Sequence, residues 1–268
     1  MTVAARPGTL AAGGRLATLP FGRVRLEGRA RHCLLDGEGL YLLDRPAYDP
    51  AARVVGSVPL AAATVLAPVE PAKIVAVGLN YRAHADELKM DVKAEPILFM
   101  KPATAVIGPG EAIVRPARSS QVDYEAELVL VVGRRCKDLT PAAAARAVAG
   151  YTCGNDVTAR DLQKLDGQWT RAKSFDTFCP LGPWAVRRAP SPTARISASL
   201  DGREVQHGFV GDMIVAPLEL LAFASGVMTL EPGDAIMTGT PPGVGLVAPG
   251  QTVTVTVEGV GSLSNPVV

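Results

Sequence analysis

The stretch Asp123-Tyr124-Glu125-Ala126-Glu127-Leu128-Val129-Leu130-Val131-Val132-Gly133 restricts the fold more than any other part of the chain. From Leu128 it is apolar and rich in valine, and it stops at Gly133, the pattern of a buried strand. Residues two apart on a strand share a face, so Glu125 and Glu127 project together at the mouth of an apolar element. Two carboxylates that close repel, and one takes up a proton unless a cation lies between them. A solvated acidic strand end is the plain alternative, and this stretch alone does not separate the two.

Composition narrows the class of protein. With 268 residues the chain can bury a substantial core in one main domain with a small appendage. Lys and Arg total 27 against 26 Asp and Glu, so a nucleic-acid or membrane-surface partner has no electrostatic basis. No run approaches the roughly 18 apolar residues of a membrane span. Met1 to Phe21 lacks a continuous apolar core, so no signal peptide is expected. Cys33, Cys136, Cys153 and Cys179 are scattered with no C-x-x-C pair, which suits buried reduced thiols in a cytoplasmic protein and argues against zinc. The 27 glycines and 22 prolines favour many turns and many strands.

Residues 1–70 read as a small β-containing domain. Val24 and Leu26 alternate with arginines, and Leu34 to Leu43 forms two strands around an Asp36-Gly37 turn. It holds no catalytic constellation, and His32 reads as a surface or packing residue. The Ala- and Pro-rich run Pro59 to Pro71 suits a linker. A second domain, residues 71–268, opens on a strand at Lys73 to Gly78, followed by helical spacing over Leu79 to Met90. There His84 and Glu87, three apart, share a face. A carboxylate beside an imidazole fixes its tautomer and prepares a general base, although an exposed pair without duty fits the spacing equally.

Further along, Thr140-Pro141 and Ala142 to Ala149, closed by Gly150, predict a capped helix. Asp156 stands at a strand-to-helix junction, where an N-cap is its simplest duty. Lys173, among aromatics and prolines, is expected either to have a depressed pKa and donate protons or to snorkel to the surface. Asp201-Gly202 marks a hairpin, Pro217 to Ser225 an apolar-faced helix, and Thr252 to Val257 a half-buried strand. The loop Thr238-Gly239-Thr240-Pro241-Pro242-Gly243-Val244-Gly245 lacks the Gly-Lys-Ser/Thr of a phosphate loop, yet its N–H groups can hold a carboxylate.

In this order the segments resemble the fumarylacetoacetate hydrolase family, over residues 71–268 and more loosely before them. The carriers are Gly78 to Tyr81 with His84 and Glu87, Asp123 to Glu127, Asn155 to Gln163, Ala172 to Phe175, Leu230 to Asp234, Thr238 to Gly245 and the tail Gly261 to Val268. The resemblance implies a β-rich α+β fold: a rolled mixed sheet with short flanking helices and the small N-terminal domain. It also implies a homodimer. It assigns Glu125, Glu127 and Asp156 to one Mg²⁺ or Mn²⁺, in keeping with an all-carboxylate donor set and a hard cation. Lys173 and Gln163, and with them Arg160 and Thr240, match positions that line the substrate. His84 with Glu87 matches the catalytic dyad, on a segment that orders as a lid.

The implied activity is divalent-metal-dependent hydrolysis of a C–C bond in a β-diketo acid of the acylpyruvate or fumarylpyruvate type, through a metal-stabilised enolate. There His84 activates water and Lys173 stabilises or reprotonates the enolate. The alternatives are oxaloacetate decarboxylation and isomerisation of a 2-hydroxymuconate-type diacid such as 2-hydroxyhepta-2,4-diene-1,7-dioate, in aromatic catabolism. A non-catalytic metal-bound binding domain is a further alternative, against which the intact dyad counts. One departure stands out. Gln206-His207-Gly208-Phe209-Val210-Gly211 replaces a more polar loop, and it either makes the pocket more apolar or forms a plain surface hairpin.

Overall fold

The computed structural model describes residues 14–268, so most of the stretch read as lacking a secretory leader lies outside the described residues. Alternation of apolar and polar side chains dominates the chain, and strands dominate the fold accordingly. The largest sheet runs in the order Val54–Pro59, Gly39–Leu43, Arg29–Asp36, Phe21–Leu26, Cys179–Val186, Val148–Asn155, Ala126–Val132, Ala235–Met237, Ile74–Gly78, Ile97–Lys101. Most of its pairs are antiparallel, but Ala235–Met237 runs parallel to Ile74–Gly78, so the sheet is mixed. A four-stranded antiparallel sheet orders Arg203–Phe209, Arg195–Leu200, Thr252–Val257 and Gly261–Pro266. In Thr252–Val257 each valine is buried and each threonine half-exposed, as strict period two requires. A third, short sheet joins Thr158–Ala159, Val122–Tyr124 and Gly245–Leu246.

The family fold is thus present: β-rich, with few and short helices. Ala126–Val132 lies at its heart, every residue of it buried, between Val148–Asn155 and Ala235–Met237. Both hairpins form, the first turning on Gly37-Glu38 because Asp36 pairs with Gly39. Leu200 pairs with Arg203 across Asp201-Gly202, both at positive φ, as a tight hairpin turn needs. We propose that the division at residue 70 is a real one, because the two parts share little ladder. The N-terminal strands meet the body through one registered pair, Phe21 with Ala185, although their side chains also pack on the body: Val24, Cys33 and Leu40 with Trp184, and Phe21, Leu34 and Leu43 with Val131 and Ala185.

Three segments differ from the sequence reading. Pro59 to Pro71 is not a loose linker, since Thr64–Leu66 adds to the sheet beside Phe21–Leu26. Its residues Thr64 and Val65 are β-branched, and pairing outweighs the local Ala/Pro bias. The helix after Thr140 spans only Pro141–Ala144, continues as a 3₁₀ turn over Ala145–Ala147, and yields to the strand Val148–Asn155. Tertiary pairing overrides the helix propensity of alanine there. Finally, Glu125 lies between the strands Val122–Tyr124 and Ala126–Val132 rather than within one continuous strand.

Candidate active site

That break at Glu125 is held by side chains. The Glu125 N–H donates to the side-chain carbonyl of Asn155 at 2.9 Å, and its own carbonyl accepts the Asp156 N–H at 2.9 Å. Next to it, the Ala126 N–H donates to Gln206 Oε1 at 3.0 Å and the Ala126 carbonyl accepts the Thr240 hydroxyl at 2.8 Å. Gln206 Nε2 in turn donates to Thr240 Oγ1 and to the Pro241 carbonyl, both at 2.7 Å. The peptide between the two glutamates is therefore gripped from both sides. Glu127 accepts the Gly239 N–H at 2.8 Å. Gly239 has φ 92°, and a Cβ there would lie 2.8 Å from that of Asn80, so only glycine brings this amide so close.

Glu125, Glu127 and Asp156 are all buried, and oxygens of the three lie within 4.8 Å of one another. Cations from three segments surround them. Arg160 donates to Glu125 at 2.5 Å, to Asp123 at 2.9 Å and to the Gln163 side-chain oxygen at 2.7 Å. Lys173 reaches Glu125 at 2.9 Å and Asp156 at 2.6 Å, with its ammonium 5.0 Å from the centre of the Phe99 ring. Lys101 reaches the other oxygen of Asp156 at 2.5 Å and the Val157 carbonyl at 3.2 Å.

These contacts sort the acids. Burial alone would push the Glu125 carboxyl up, but Lys173, Arg160 and His84 outweigh it and hold it far below the ordinary carboxylate range. Glu127 moves the opposite way: burial first, then the charges of Asp156 and Glu125, raise it well above that range. Lys173 corrects the sequence expectation of a depressed pKa. Burial does press it down, yet Asp156 and Glu125 beside it win, and the net shift is upward. It also does not snorkel, being buried.

His84 stands across from the acids in the same small cavity, of about 20 Å³. It is buried on the helix Arg82–Leu88, and its Nδ1 lies 3.2 Å from Glu87 Oε2. An ionised carboxylate only accepts, so Nδ1 carries the proton and Nε2 keeps a lone pair. Glu87 also accepts the Gly243 N–H at 3.1 Å, which ties this helix to the Gly/Pro loop. Burial lowers the His84 pKa, and Glu125 and Glu87 offset this only in part.

All the residues singled out from sequence except Glu87 line this one cavity: His84, Glu125, Glu127, Asp156, Arg160, Gln163, Lys173 and Thr240. Glu87 sits behind His84. Two residues the sequence left without a role also belong to the site. Lys101 ends a strand with no motif around it, so its burial at Asp156 had no local signal. Gln206 lies in the divergent loop 206–211 and reaches the peptide between the two glutamates, whereas His207 is exposed beside Glu204 at 3.4 Å and Phe209 faces solvent.

Residues 73–268 match the model of the fumarylacetoacetate (FAA) hydrolase C-terminal family. This chain belongs to the fumarylacetoacetate hydrolase family. An uncharacterized protein of Archaeoglobus fulgidus is 51% identical over 211 residues, covering 79% of this chain and 84% of its own. Among solved structures, 2-hydroxyhepta-2,4-diene-1,7-dioate isomerase from Mycobacterium marinum is 41% identical with a TM-score of 0.86, over 93% of this chain and 99% of that one. Fumarylpyruvate hydrolase from Pseudomonas aeruginosa, in complex with Mn²⁺ and pyruvate, is 34% identical with a TM-score of 0.70, over 75% and 91%. As a family member the chain has enzymes for neighbours, hydrolases and isomerases alike. Among the described residues no helix is long and apolar enough to cross a membrane.

The three acids suit a divalent cation. They offer only carboxylate oxygen, the donor that hard ions prefer. Among the described residues Glu127 has no cationic side chain in hydrogen-bond contact, and it is driven toward its neutral form, the sign of a charge that a bound cation would relieve.

Proposed function

We propose that this protein is a metal-assisted hydrolase that cleaves a C–C bond in a β-diketo acid. The observation that carries the reading is the His84–Glu87 pair, which shares one cavity with three converging acids and a buried lysine. In this proposal Glu125, Glu127 and Asp156 hold Mg²⁺ or Mn²⁺. The ion supplies positive charge against a developing enolate and against the 2-oxo-carboxylate end of the substrate. Arg160, Gln163 and Thr240 orient that end, and Arg160 does so while already anchored by Asp123.

His84 Nε2 removes a proton from a water molecule, and the oxygen attacks the carbonyl distal to the carboxylate. The bond between that carbonyl and the methylene carbon breaks, its electron pair passing to the 2-oxo fragment as an enolate. The acyl fragment leaves as a carboxylic acid. The Lys173 ammonium faces the enolate charge and, or a water in its place, returns a proton to carbon. Phe99 and Trp169 line the cavity and limit the entry of further water.

One observation favours a second reading. The isomerase neighbour is more similar and covers more of this chain than the hydrolase does. Isomerisation of a hydroxymuconate-type diacid needs only proton movement, and decarboxylation of oxaloacetate only enolate stabilisation, so neither needs attacking water. A panel of acylpyruvates, oxaloacetate and hydroxymuconates, assayed with Mg²⁺, Mn²⁺ or EDTA, decides between them. Metal-dependent loss of acylpyruvate absorbance with release of the free acid supports the first reading. Turnover of the muconate alone supports the second. A homodimer and a cytoplasmic setting belong to the same proposal, and the four free, buried cysteines suit the latter.

A further inference from the structure

A second cavity lies away from the acids, where the N-terminal strands meet the body. It is a crevice of about 340 Å³, lined by Tyr48 and Asp49 together with Arg134, Arg146, Val148 and Arg187. That volume is within the range of small-molecule sites. Three guanidinium groups thus line it together with a single acid. Asp49 is already engaged, accepting the Ala51 N–H at 2.8 Å and lying 3.6 Å from Arg45. Among the described residues, no carboxylate forms an ion pair with Arg134, Arg146 or Arg187.

Arg187 is the built part of the crevice. Its guanidinium lies 5.0 Å from the centre of the Phe21 ring, and one terminal nitrogen donates to the Ala47 carbonyl at 3.2 Å. Its Nε–H is buried and has no acceptor among the described residues. A buried donor without a partner is costly, and burial also works against the charge of this guanidinium. An anion in the crevice would meet the second deficit, whereas the Nε–H, shut off from solvent, gains a partner only if the side chain turns. The planar fork of arginine matches carboxylate and phosphate oxygens in pairs. Tyr48 and Val148 give an organic body something to lie against.

We infer that this crevice is a second binding site, separate from the acid cavity, for a small anion bearing a carboxylate or phosphate group held by Arg187 with Arg134 and Arg146. Tyr48 and Ala47 come from the N-terminal strands and loops, so the small domain that carries no catalytic residue supplies one wall of the site.

The test is calorimetric titration of the whole protein with sodium phosphate and, separately, sodium succinate, at constant ionic strength made up with chloride. The proteins compared are wild type, Arg187→Gln, the double variant Arg134→Gln/Arg146→Gln, and Lys173→Met as the active-site control. Saturable binding of either anion is expected. It should weaken about tenfold or more in both arginine variants, as loss of charge-assisted bonds predicts, and persist in Lys173→Met. Binding of phosphate alone or succinate alone supports the site and names its source. Arg134 and Arg146 are exposed, so the double variant decides the matter if Arg187→Gln does not fold. The proposal falls if neither anion saturates wild type, or if binding survives the arginine changes and vanishes with Lys173→Met. It also falls if the arginine changes alter the mass seen by light scattering and leave anion binding untouched, which would mark a subunit contact.

Discussion

The acid cavity and the arginine crevice handle charge in opposite ways. In the cavity Glu125 and Asp156 interlock with Lys101, Arg160 and Lys173, all of them buried. In the crevice the arginines form no ion pair among the described residues, and two of the three are exposed. A buried net of pairs cannot lose a member without leaving its partner uncompensated, so it fixes geometry. A half-open set of like charges fixes little and keeps its attraction for something outside the chain. The contrast separates residues whose loss should damage the whole protein from residues whose loss should damage only recognition.

Removing Asp156 should break the contrast most severely. Asp156→Ala strands Lys101 in the interior and leaves Lys173 with Glu125 alone, and a loss of about 3–5 kcal/mol in unfolding free energy is expected. Urea denaturation measures it, and a metal titration of the folded fraction should show no stimulation by Mg²⁺ or Mn²⁺. Normal metal-stimulated turnover in this variant would refute the ligand assignment.

His84→Ala should cost hydrolysis about 10²–10⁴-fold and leave decarboxylation or isomerisation far less affected. Equal losses in all three reactions would count against water activation. The pH profile sharpens the point. Since the folded pKa of His84 lies below its ordinary 6.5, the neutral base predominates above that value. kcat/KM should rise with pH through the lowered pKa and be level by about neutrality. Glu87 pulls that pKa upward, so Glu87→Gln should shift the acid limb to still lower pH while reducing the plateau. An acid limb centred above 6.5 would contradict the burial seen for the imidazole.

Gln206→Ala ranks next. It leaves the Ala126 N–H without its acceptor in a buried setting, for a loss of about 1–3 kcal/mol in stability. Metal affinity should fall with it, because the peptide between the two glutamates is freed on one side. Unchanged metal affinity would show that Thr240 alone suffices to hold that peptide. The smallest effect belongs to Arg134→Gln/Arg146→Gln, where thermal unfolding should stay within about 0.5 kcal/mol of wild type. A large destabilisation would mean that the crevice arginines carry structure after all.

How much of this was legible in the sequence follows the range of the interactions. The core strand from Leu128, the two hairpins and the alternation over Thr252–Val257 are local signals, and the fold obeys them. The convergence of His84, Glu125 and Asp156 was legible only through the family resemblance, because 41 and 31 residues separate them in order. Lys101 was not legible: a lysine at a strand end looks the same whether it meets water or Asp156. The charge state of Lys173 was misread for a related reason, since its aromatic neighbours were visible and its two carboxylate partners were not. The strand Thr64–Leu66 was hidden by the alanines and prolines around it, and only its pairing with Phe21–Leu26 brings it out.

Glu87 touches both its imidazole and the amide of Gly243, and this has a consequence for how the protein must open. Lifting the helix Arg82–Leu88 off the Gly/Pro loop strips that amide from the carboxylate and lets water reach the ring. Each change favours the protonated imidazolium, a form unable to accept a proton. In the proposed reaction, docking of this short helix therefore favours the neutral imidazole that accepts a proton, and undocking disfavours it.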